Sequence, residues 1–206
     1  MTRNPQTGSE FSLAHLLDDI RDHVRPAFGR GKVAHYIPEL ATIAPTKFGM
    51  AVATRDGEVI STGDCDEPFS LQSITKLFAL MLALNRGGDE IWMRVGKEPS
   101  GTPFNHLAIL EAENGAPRNP FVNAGALAVT DYLMGKTADV ATLMASYIRL
   151  AAGSADGAVN EAVAVSEIAT AYTNRAIANI LRIHETIDHE PDAVVDAYCR
   201  DRKSVV

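Results

Sequence analysis

The chain has 206 residues, of which 46% are hydrophobic, and we expect it to form a single domain spanning residues 1–206. Its 19 basic and 26 acidic residues give a net charge of −7, which argues against binding to nucleic acid or to an anionic membrane surface. The isolated cysteines Cys65 and Cys199 predict free thiols in a reducing compartment, and the lack of a membrane-length apolar run or a signal-peptide core predicts a cytoplasmic protein.

The first third of the chain is predicted to form a helix and a β-hairpin. Apolar residues recur with helical spacing from Phe11 to Val24, before Pro26, and residues 31–40 form a connecting segment. Residues 48–54 and 58–63 predict two strands around the turn Arg55-Asp56-Gly57. A lone hairpin is only marginally stable, so we expect it to need neighbouring strands, and the sequence does not obviously supply them.

Helices dominate the rest of the sequence. We predict the first of them from Ser73 to its end at Gly87-Gly88. Further helices are predicted at residues 123–134, 138–152, 160–187 and 192–200, and we expect the helix at 160–187 to be broken into two. The run from Leu77 to Leu84 is apolar on every side, which predicts a buried helix. A short N-terminal sheet beside a helical mass is an α+β arrangement.

Ser73-Ile74-Thr75-Lys76 is the most informative stretch, because it opens this apolar helix. A serine at a helix start with a lysine one turn later is the layout of Ser-Lys acyl-transfer enzymes. The free N–H groups at a helix start also favour an oxyanion. A lysine needs burial to lower its pKa from about 10.4 before it can act as a base. The alternative is an ordinary N-cap serine and a surface lysine, since S-x-x-K also occurs by chance.

Further segments accompany this motif. They are Lys32–Leu40 with Tyr36-Ile37-Pro38, Phe69–Lys76, Gly96–Asn105, Asn119–Ala126, and Ser166-Glu167 followed by Asn174. With them, the chain resembles the serine-dependent glutaminase family from about residue 31 to residue 198. The resemblance implies the fold of serine β-lactamases and penicillin-binding proteins, with an N-terminal hairpin and a helical subdomain. It also implies hydrolysis of L-glutamine to L-glutamate and ammonia, with no cofactor, and self-association into a homo-oligomer.

The resemblance also assigns roles to individual residues. Ser73 would be the nucleophile, with its backbone N–H in the oxyanion hole, and Lys76 would be its base. Tyr36 would line the glutamine pocket, and Tyr198 would contact the substrate and relay protons. The residues that would grip the amino-acid end of the substrate are Asn123, Glu167 and Asn174. A zwitterionic ligand needs such a carboxylate and such amide donors.

Each of these residues also has an ordinary structural interpretation. Glu167 alone would be a solvated helix charge, and Asn123 and Asn174 would be caps or turn residues. Tyr36 and Tyr198 would be core aromatics with a polar tip. Tyr172 has no counterpart in the family pattern and receives no role. His184 and His189 are five residues apart, whereas a helical zinc site needs four, so we predict no metal.

The resemblance stops near Arg200. Family members continue with a Cys-Ser pair, further sheet strands, a second active-site tyrosine and a backbone N–H that completes the oxyanion hole. Here residues 201–206 follow instead. We therefore expect a glutaminase domain that is incomplete at its C-terminus and lacks the C-terminal strands. Losing one oxyanion donor typically costs about 10²–10³ in turnover, so we expect low activity and association through the open strand edge.

Two alternatives remain open. A β-lactam or peptide acyl hydrolase would share the Ser-Lys pair, but the sequence has no Lys-Thr-Gly strand element. An inactive truncated fragment, retained as an interaction module, would keep the fold without the activity.

Overall fold

The computed structural model describes residues 12–153, 158–201 and 204–205. The chain divides into two compact units. We call them the hairpin unit, whose described residues are 12–34 and 42–68, and the helical unit, whose described residues are 35–41, 69–153, 158–201 and 204–205.

The hairpin unit begins with helix α1, Leu13–Val24. Ser12 caps its start, since the Ser12 hydroxyl accepts the His15 amide at 3.4 Å. The α-helix ends at Val24, where Arg25–Ala27 continues as a 3₁₀ turn that contains Pro26. The predicted helix is confirmed from Leu13 to Val24, whereas Phe11, where the prediction began, lies outside the described residues.

Strands β1, Gly49–Ala53, and β2, Val59–Gly63, pair antiparallel as predicted, with Gly49 opposite Gly63 and Ala53 opposite Val59. Within the described residues, their sheet has two strands. Polar bonds tie α1 to the hairpin: the Thr62 hydroxyl donates to Asp18 at 2.6 Å and accepts from Arg21 at 2.7 Å. Among the described residues of this unit, Leu17 is the apolar residue that is buried, and the rings of Phe28 and Phe48 stack at 5.0 Å.

The helical unit contains the main core. Its α-helices are α2 Thr75–Gly87, α3 Leu107–Ala112, α4 Asn123–Met134, α5 Val140–Ala152, α6 Glu161–Thr170, α7 Tyr172–Ile183 and α8 Pro191–Asp201. Further 3₁₀ turns are Pro38–Thr42, Gln72–Ile74 and Gly88–Met93. The break predicted in the fourth helix falls between α6 and α7, whereas α3 was not predicted.

Helix α4 is the centre of this unit, since residues 124–133 are all buried and α2, α5, α7 and α8 pack around it. Its buried Asp131 carboxylate accepts from Arg94 at 2.6 Å and from the amides of Asp188 and His189. A buried charge is tolerated where such donors surround it. Asn123, the first residue of α4, lines the candidate site described below, so a helix of the core positions part of that site.

The structure corrects one prediction about α2 and adds a second, two-stranded sheet. Gly88, with φ of +57°, ends α2 as predicted, but the helix is not buried on every side: Leu77 and Met81 are 48% and 42% exposed. The two-residue strands β3, Ala158–Val159, and β4, Ser204–Val205, pair antiparallel in a sheet separate from the hairpin. None of the described helices is both long enough and apolar enough to cross a membrane.

Candidate active site

Ser73 lies in the 3₁₀ turn Gln72–Ile74 that leads into α2, and its side chain is exposed. Gln72 has a φ of +50°, a left-handed conformation that is uncommon for residues other than glycine. The side-chain nitrogen of Gln72 donates to the Ser70 hydroxyl at 2.8 Å, and the Thr75 hydroxyl donates to the Gln72 backbone carbonyl at 2.8 Å. A sharp, well-bonded turn therefore presents Ser73 at the start of the helix.

Lys76 lies one turn later and is 4% exposed. Its Nζ donates to the Asn123 side-chain oxygen at 2.8 Å and to the Phe121 carbonyl at 2.9 Å. The Phe104 ring centroid lies 5.6 Å from the same nitrogen. The lysine is therefore held inside the protein by fixed acceptors and does not extend to the surface, which favours the functional interpretation of the S-x-x-K motif.

Asn123 links Lys76 to a second amide. Its Nδ2 donates to the Asn174 side-chain oxygen at 3.1 Å, while its Oδ1 accepts from the lysine. Asn123 is the first residue of α4, and its backbone N–H is held by the Phe104 carbonyl at 2.8 Å. The three side chains form a continuous hydrogen-bonded row between α2, α4 and α7.

A cavity of about 350 Å³ lies beside this row. That volume is within the range of small-molecule sites. Its walls bring together five of the residues predicted from the sequence and several that were not; the lining residues are Tyr36, Ile37, Ser73, Phe104, Asn105, Asn123, Glu167, Thr170, Ala171, Thr173 and Asn174. Glu167 is buried, so the cavity combines a serine hydroxyl, a buried carboxylate and amide groups.

The segment around Tyr36 forms one side of the cavity. Ile37 anchors it, because its side chain is completely buried. The Thr170 hydroxyl donates to the Tyr36 carbonyl at 3.1 Å, and the Glu39 amide donates to the Ser166 hydroxyl at 3.4 Å. These two hydroxyls lie on α6, the helix that carries Glu167, so α6 sets the position of Tyr36 relative to that carboxylate.

Tyr198 is placed differently from the other predicted residues. It lies on α8, is 1% exposed and belongs to the hydrophobic core of the helical unit. The described residues that line the cavity do not include it. Its contact with a substrate therefore remains a prediction.

The two histidines considered for a metal site have structural surroundings. The His189 ring nitrogen lies 2.8 Å from the Asp131 carboxylate, and His184 packs where a side chain on Gly115 would lie. In residues 12–153, 158–201 and 204–205, no three or more His, Cys, Asp or Glu side chains are grouped to hold a metal ion.

Sequence analysis assigned no role to Phe104, Asn119 or the Phe121 carbonyl. Phe104 lies in the segment Gly96–Asn105, whose glycines and prolines indicate an ordered loop. The loop was therefore predicted, but no role was predicted for Phe104 within it. The signal for Asn119 was its place before Pro120, where an asparagine side chain commonly bonds the following backbone amides. The Phe121 carbonyl is a backbone group and leaves no signal in the sequence.

Comparisons with known proteins are consistent across sequence and structure. A family model described as Glutaminase matches residues 31–204. A glutaminase of Caulobacter vibrioides is 59% identical over 189 residues, which make up 92% of this chain and 61% of that protein. The chain thus spans about three-fifths of the length of this curated relative.

Two solved structures align closely with the chain. The probable glutaminase ybaS has a TM-score of 0.83 and 32% identity, and the alignment covers 94% of this chain and 64% of that one. Mglu in its tris and glutamate form has a TM-score of 0.85 and 32% identity, and the alignment covers 96% of this chain and 44% of that one. These likenesses confirm the predicted α+β, serine β-lactamase-like fold class.

Proposed function

The chain belongs to the glutaminase family, and we propose that it hydrolyses L-glutamine to L-glutamate and ammonia through an acyl-enzyme on Ser73. The observation that carries this proposal is the buried Lys76, whose nitrogen is bound by the Asn123 side chain and the Phe121 carbonyl one turn after Ser73. The activity is proposed for this chain because the relatives that it matches are longer.

The two acceptors of Lys76 suit a general base. A neutral amine has two N–H bonds and one lone pair. If both N–H bonds are donated to Asn123 and to the Phe121 carbonyl, the lone pair is the remaining valence and can accept the Ser73 proton. The protein thereby orients the base as well as burying it.

The reaction then follows from this pairing. The Ser73 oxygen attacks the side-chain amide carbon of glutamine as its proton passes to Lys76, and the backbone N–H of Ser73 stabilises the oxyanion. Lys76 returns the proton to the departing nitrogen, and ammonia leaves. Water, deprotonated by Lys76, hydrolyses the ester to release glutamate and restore Ser73.

Substrate binding is proposed for the polar part of the cavity. The buried Glu167 carboxylate favours a cationic partner, as the ammonium of an amino acid would be. Asn123 and Asn174 can offer amide donors to the substrate carboxylate, and Tyr36 can cover the side chain. The neighbour Mglu is described in a glutamate form, which supports an amino-acid ligand for this cavity.

The deciding experiment replaces the nucleophile. Ser73→Ala should abolish ammonia release from glutamine while the circular dichroism spectrum and melting temperature stay close to those of the parent chain, because Ser73 is exposed and exposed substitutions usually change stability by about 0.5 kcal/mol or less. Ser146→Ala on the exposed face of α5 is the matched control and should retain the parent activity. A glutamine-like diazo-ketone should label Ser73 in the parent chain.

Three outcomes would contradict the proposal: no ammonia release by the parent chain, full activity of Ser73→Ala, or labelling at another residue. Hydrolysis of nitrocefin in place of glutamine would favour a β-lactam hydrolase, the alternative that shares the Ser-Lys pair.

The remaining expectations from the resemblance stay proposals. We propose that both units belong to one catalytic domain, that Tyr198 relays protons, and that the protein is a cytoplasmic homo-oligomer. The family match from residue 31 to residue 204 includes parts of both units and supports the first. Cys65 and Cys199 are not joined in a disulfide, which is compatible with a reducing compartment. Native mass spectrometry of the purified chain would test self-association.

A further inference from the structure

The Asn119 side chain makes three hydrogen bonds just before α4. Its oxygen accepts the backbone N–H of Phe121 at 2.9 Å and that of Val122 at 3.1 Å, and its nitrogen donates to the Glu98 carbonyl at 2.7 Å. Val122 is the N-cap of α4, and its apolar side chain cannot accept a hydrogen bond. Asn119 thus satisfies the N–H of the N-cap residue, which the start of a helix otherwise leaves open, and the N–H of the residue before it.

One peptide group connects Asn119 to Lys76. The Val122 N–H that Asn119 holds and the Phe121 carbonyl that accepts from Lys76 belong to the same peptide. A peptide is planar, so fixing the direction of its N–H also fixes the direction of its carbonyl. Hydrogen bonds at both ends of one peptide also strengthen each other by polarisation.

We propose that Asn119 is a positioning residue for Lys76: it aims the Phe121 carbonyl at the lysine nitrogen by holding the opposite edge of the same peptide. The inference rests on the proposed function only in treating Lys76 as the base. The Asn119–peptide–Lys76 chain itself is a matter of geometry and can be tested without any substrate.

Close packing supports this role. A Cβ atom on Gly125 would lie 1.9 Å from the Asn119 carbonyl oxygen and 2.9 Å from the Pro120 Cα, so the turn lies directly against the first turn of α4. The same loop is paired with its neighbour through the Gly96 amide to the Pro117 carbonyl and the Glu98 amide to the Arg118 carbonyl. The backbone around Asn119 is therefore fixed, and its side chain has a rigid base from which to hold the peptide.

The test measures the ionisation of Lys76 directly. The chain is labelled at the lysine ε-carbons, the Lys76 signal is assigned with Lys76→Met, and its shift is followed by NMR against pH. Carbonyl acceptors stabilise the charged ammonium more than the neutral amine, so Asn119→Ala should lower the Lys76 pKa by about one unit, a tenfold change in its ionisation constant.

Asn119→Asp is the second variant: it keeps the acceptor for both amides, loses the donor to the Glu98 carbonyl and adds a negative charge. It should move the Lys76 pKa in the opposite direction, upwards. Asn160→Ala is the matched control: Asn160 caps α6 through the Val163 amide at 3.1 Å, so the same substitution costs a similar cap without touching the Phe121 peptide. It should leave the Lys76 pKa unchanged.

The outcomes separate this inference from the proposed function. Opposite shifts in the two variants support the positioning role, even if the parent chain releases no ammonia. An unchanged Lys76 pKa in Asn119→Ala, or an equal shift in Asn160→Ala, overturns it, even if Ser73 proves to be the nucleophile. If Asn119→Ala does not fold, Asn119→Ser takes its place, because a serine hydroxyl holds such amides more weakly and should lower the Lys76 pKa in the same direction.

Discussion

The two walls of the cavity are built differently. On one, which we call the buried wall, Glu167 and Asn174 are 4% and 8% exposed and line the cavity together with Asn123, which accepts a hydrogen bond from Lys76. On the other, the exposed wall, Tyr36 and Phe104 are 63% and 55% exposed and Ser73 is also exposed. The buried wall is fixed by the core before any ligand arrives, whereas ligand contacts with the exposed wall must order side chains that water now surrounds.

The comparison predicts the largest loss for the buried carboxylate. Glu167→Gln should weaken binding of glutamine or glutamate by about 2–5 kcal/mol, since it removes the proposed partner of a desolvated ammonium. Glu161→Gln is the control on the same helix, where the exposed carboxylate pairs with Arg200 at 3.1 Å, and it should change binding little. Isothermal calorimetry measures both. Equal affinities for the two variants would return Glu167 to the class of ordinary helix charges.

A smaller loss of ligand affinity is expected when the hydrogen-bonded row of Lys76, Asn123 and Asn174 is interrupted. Asn174→Ala removes the acceptor of the Asn123 Nδ2 and should cost about 1–3 kcal/mol in ligand binding. Asn179→Ala, on the exposed face of the same helix, removes a bond to the Arg175 carbonyl and serves as the control. A calorimetric titration in which the two variants bind alike would show that α7 contributes no specific contact to the buried wall.

Substitutions in the exposed wall should reduce ligand affinity less than substitutions in the buried wall. Tyr36→Ala loses ligand contacts, but ordering the exposed ring offsets part of their value, so we expect a loss of only about 1 kcal/mol. Tyr172→Ala is the control, because Tyr172 is exposed and does not line the cavity. A loss at Tyr36 as large as that at Glu167 would mean that both walls are equally fixed before binding.

The smallest effect is predicted outside the cavity, at the cap of α5, and it depends on pH. The Thr142 hydroxyl, followed by the Thr142 amide, lowers the pKa of Asp139. Because the pKa of Asp139 is lower in the folded chain, its ionised form stabilises the fold when the pH is above the unfolded-state pKa of about 3.9. That stabilisation is lost as the pH falls through the pKa of the folded state. Because Asp139 is exposed, solvent screens the effect to about 0.5 kcal/mol or less.

Asp139→Asn keeps a capping oxygen but no longer titrates there. Urea unfolding at pH 5 and pH 3.5 should therefore show a smaller loss of stability for this variant than for the parent chain. An identical loss in both would show that other carboxylates account for the acid sensitivity.

The features predicted correctly from the sequence are those that depend on the spacing of residues close together in the chain. Helical spacing and strand alternation located α1, the hairpin and the long helices, and the S-x-x-K motif placed Ser73 one turn before Lys76. Burial of α2 was predicted wrongly at Leu77 and Met81, because an apolar run does not reveal which faces find partners. The positive φ of Gln72, the 3₁₀ turn before α2 and the role of the Phe121 carbonyl depend on backbone geometry, which composition does not encode.

Long-range contacts explain the other gaps. Asn119 and Lys76 are far apart in sequence, and their connection exists only once the Phe121 carbonyl meets α2. The pairing of β3 with β4 joins residues 158–159 to residues 204–205 and likewise lies beyond any local signal. Resemblance supplied the identities of Glu167 and Asn174, whereas their burial beside a common cavity came from the fold.

In a saturation library, Gly125 would behave as if it were catalytic although it carries no functional group. Every other residue would place a Cβ against the Asn119 carbonyl oxygen, so even alanine would push the turn away from α4. Variants should rank by side-chain volume and hardly by polarity. A map of tolerated substitutions would thus mark position 125 as part of the site, because the peptide that meets Lys76 can come close only where a side chain is missing.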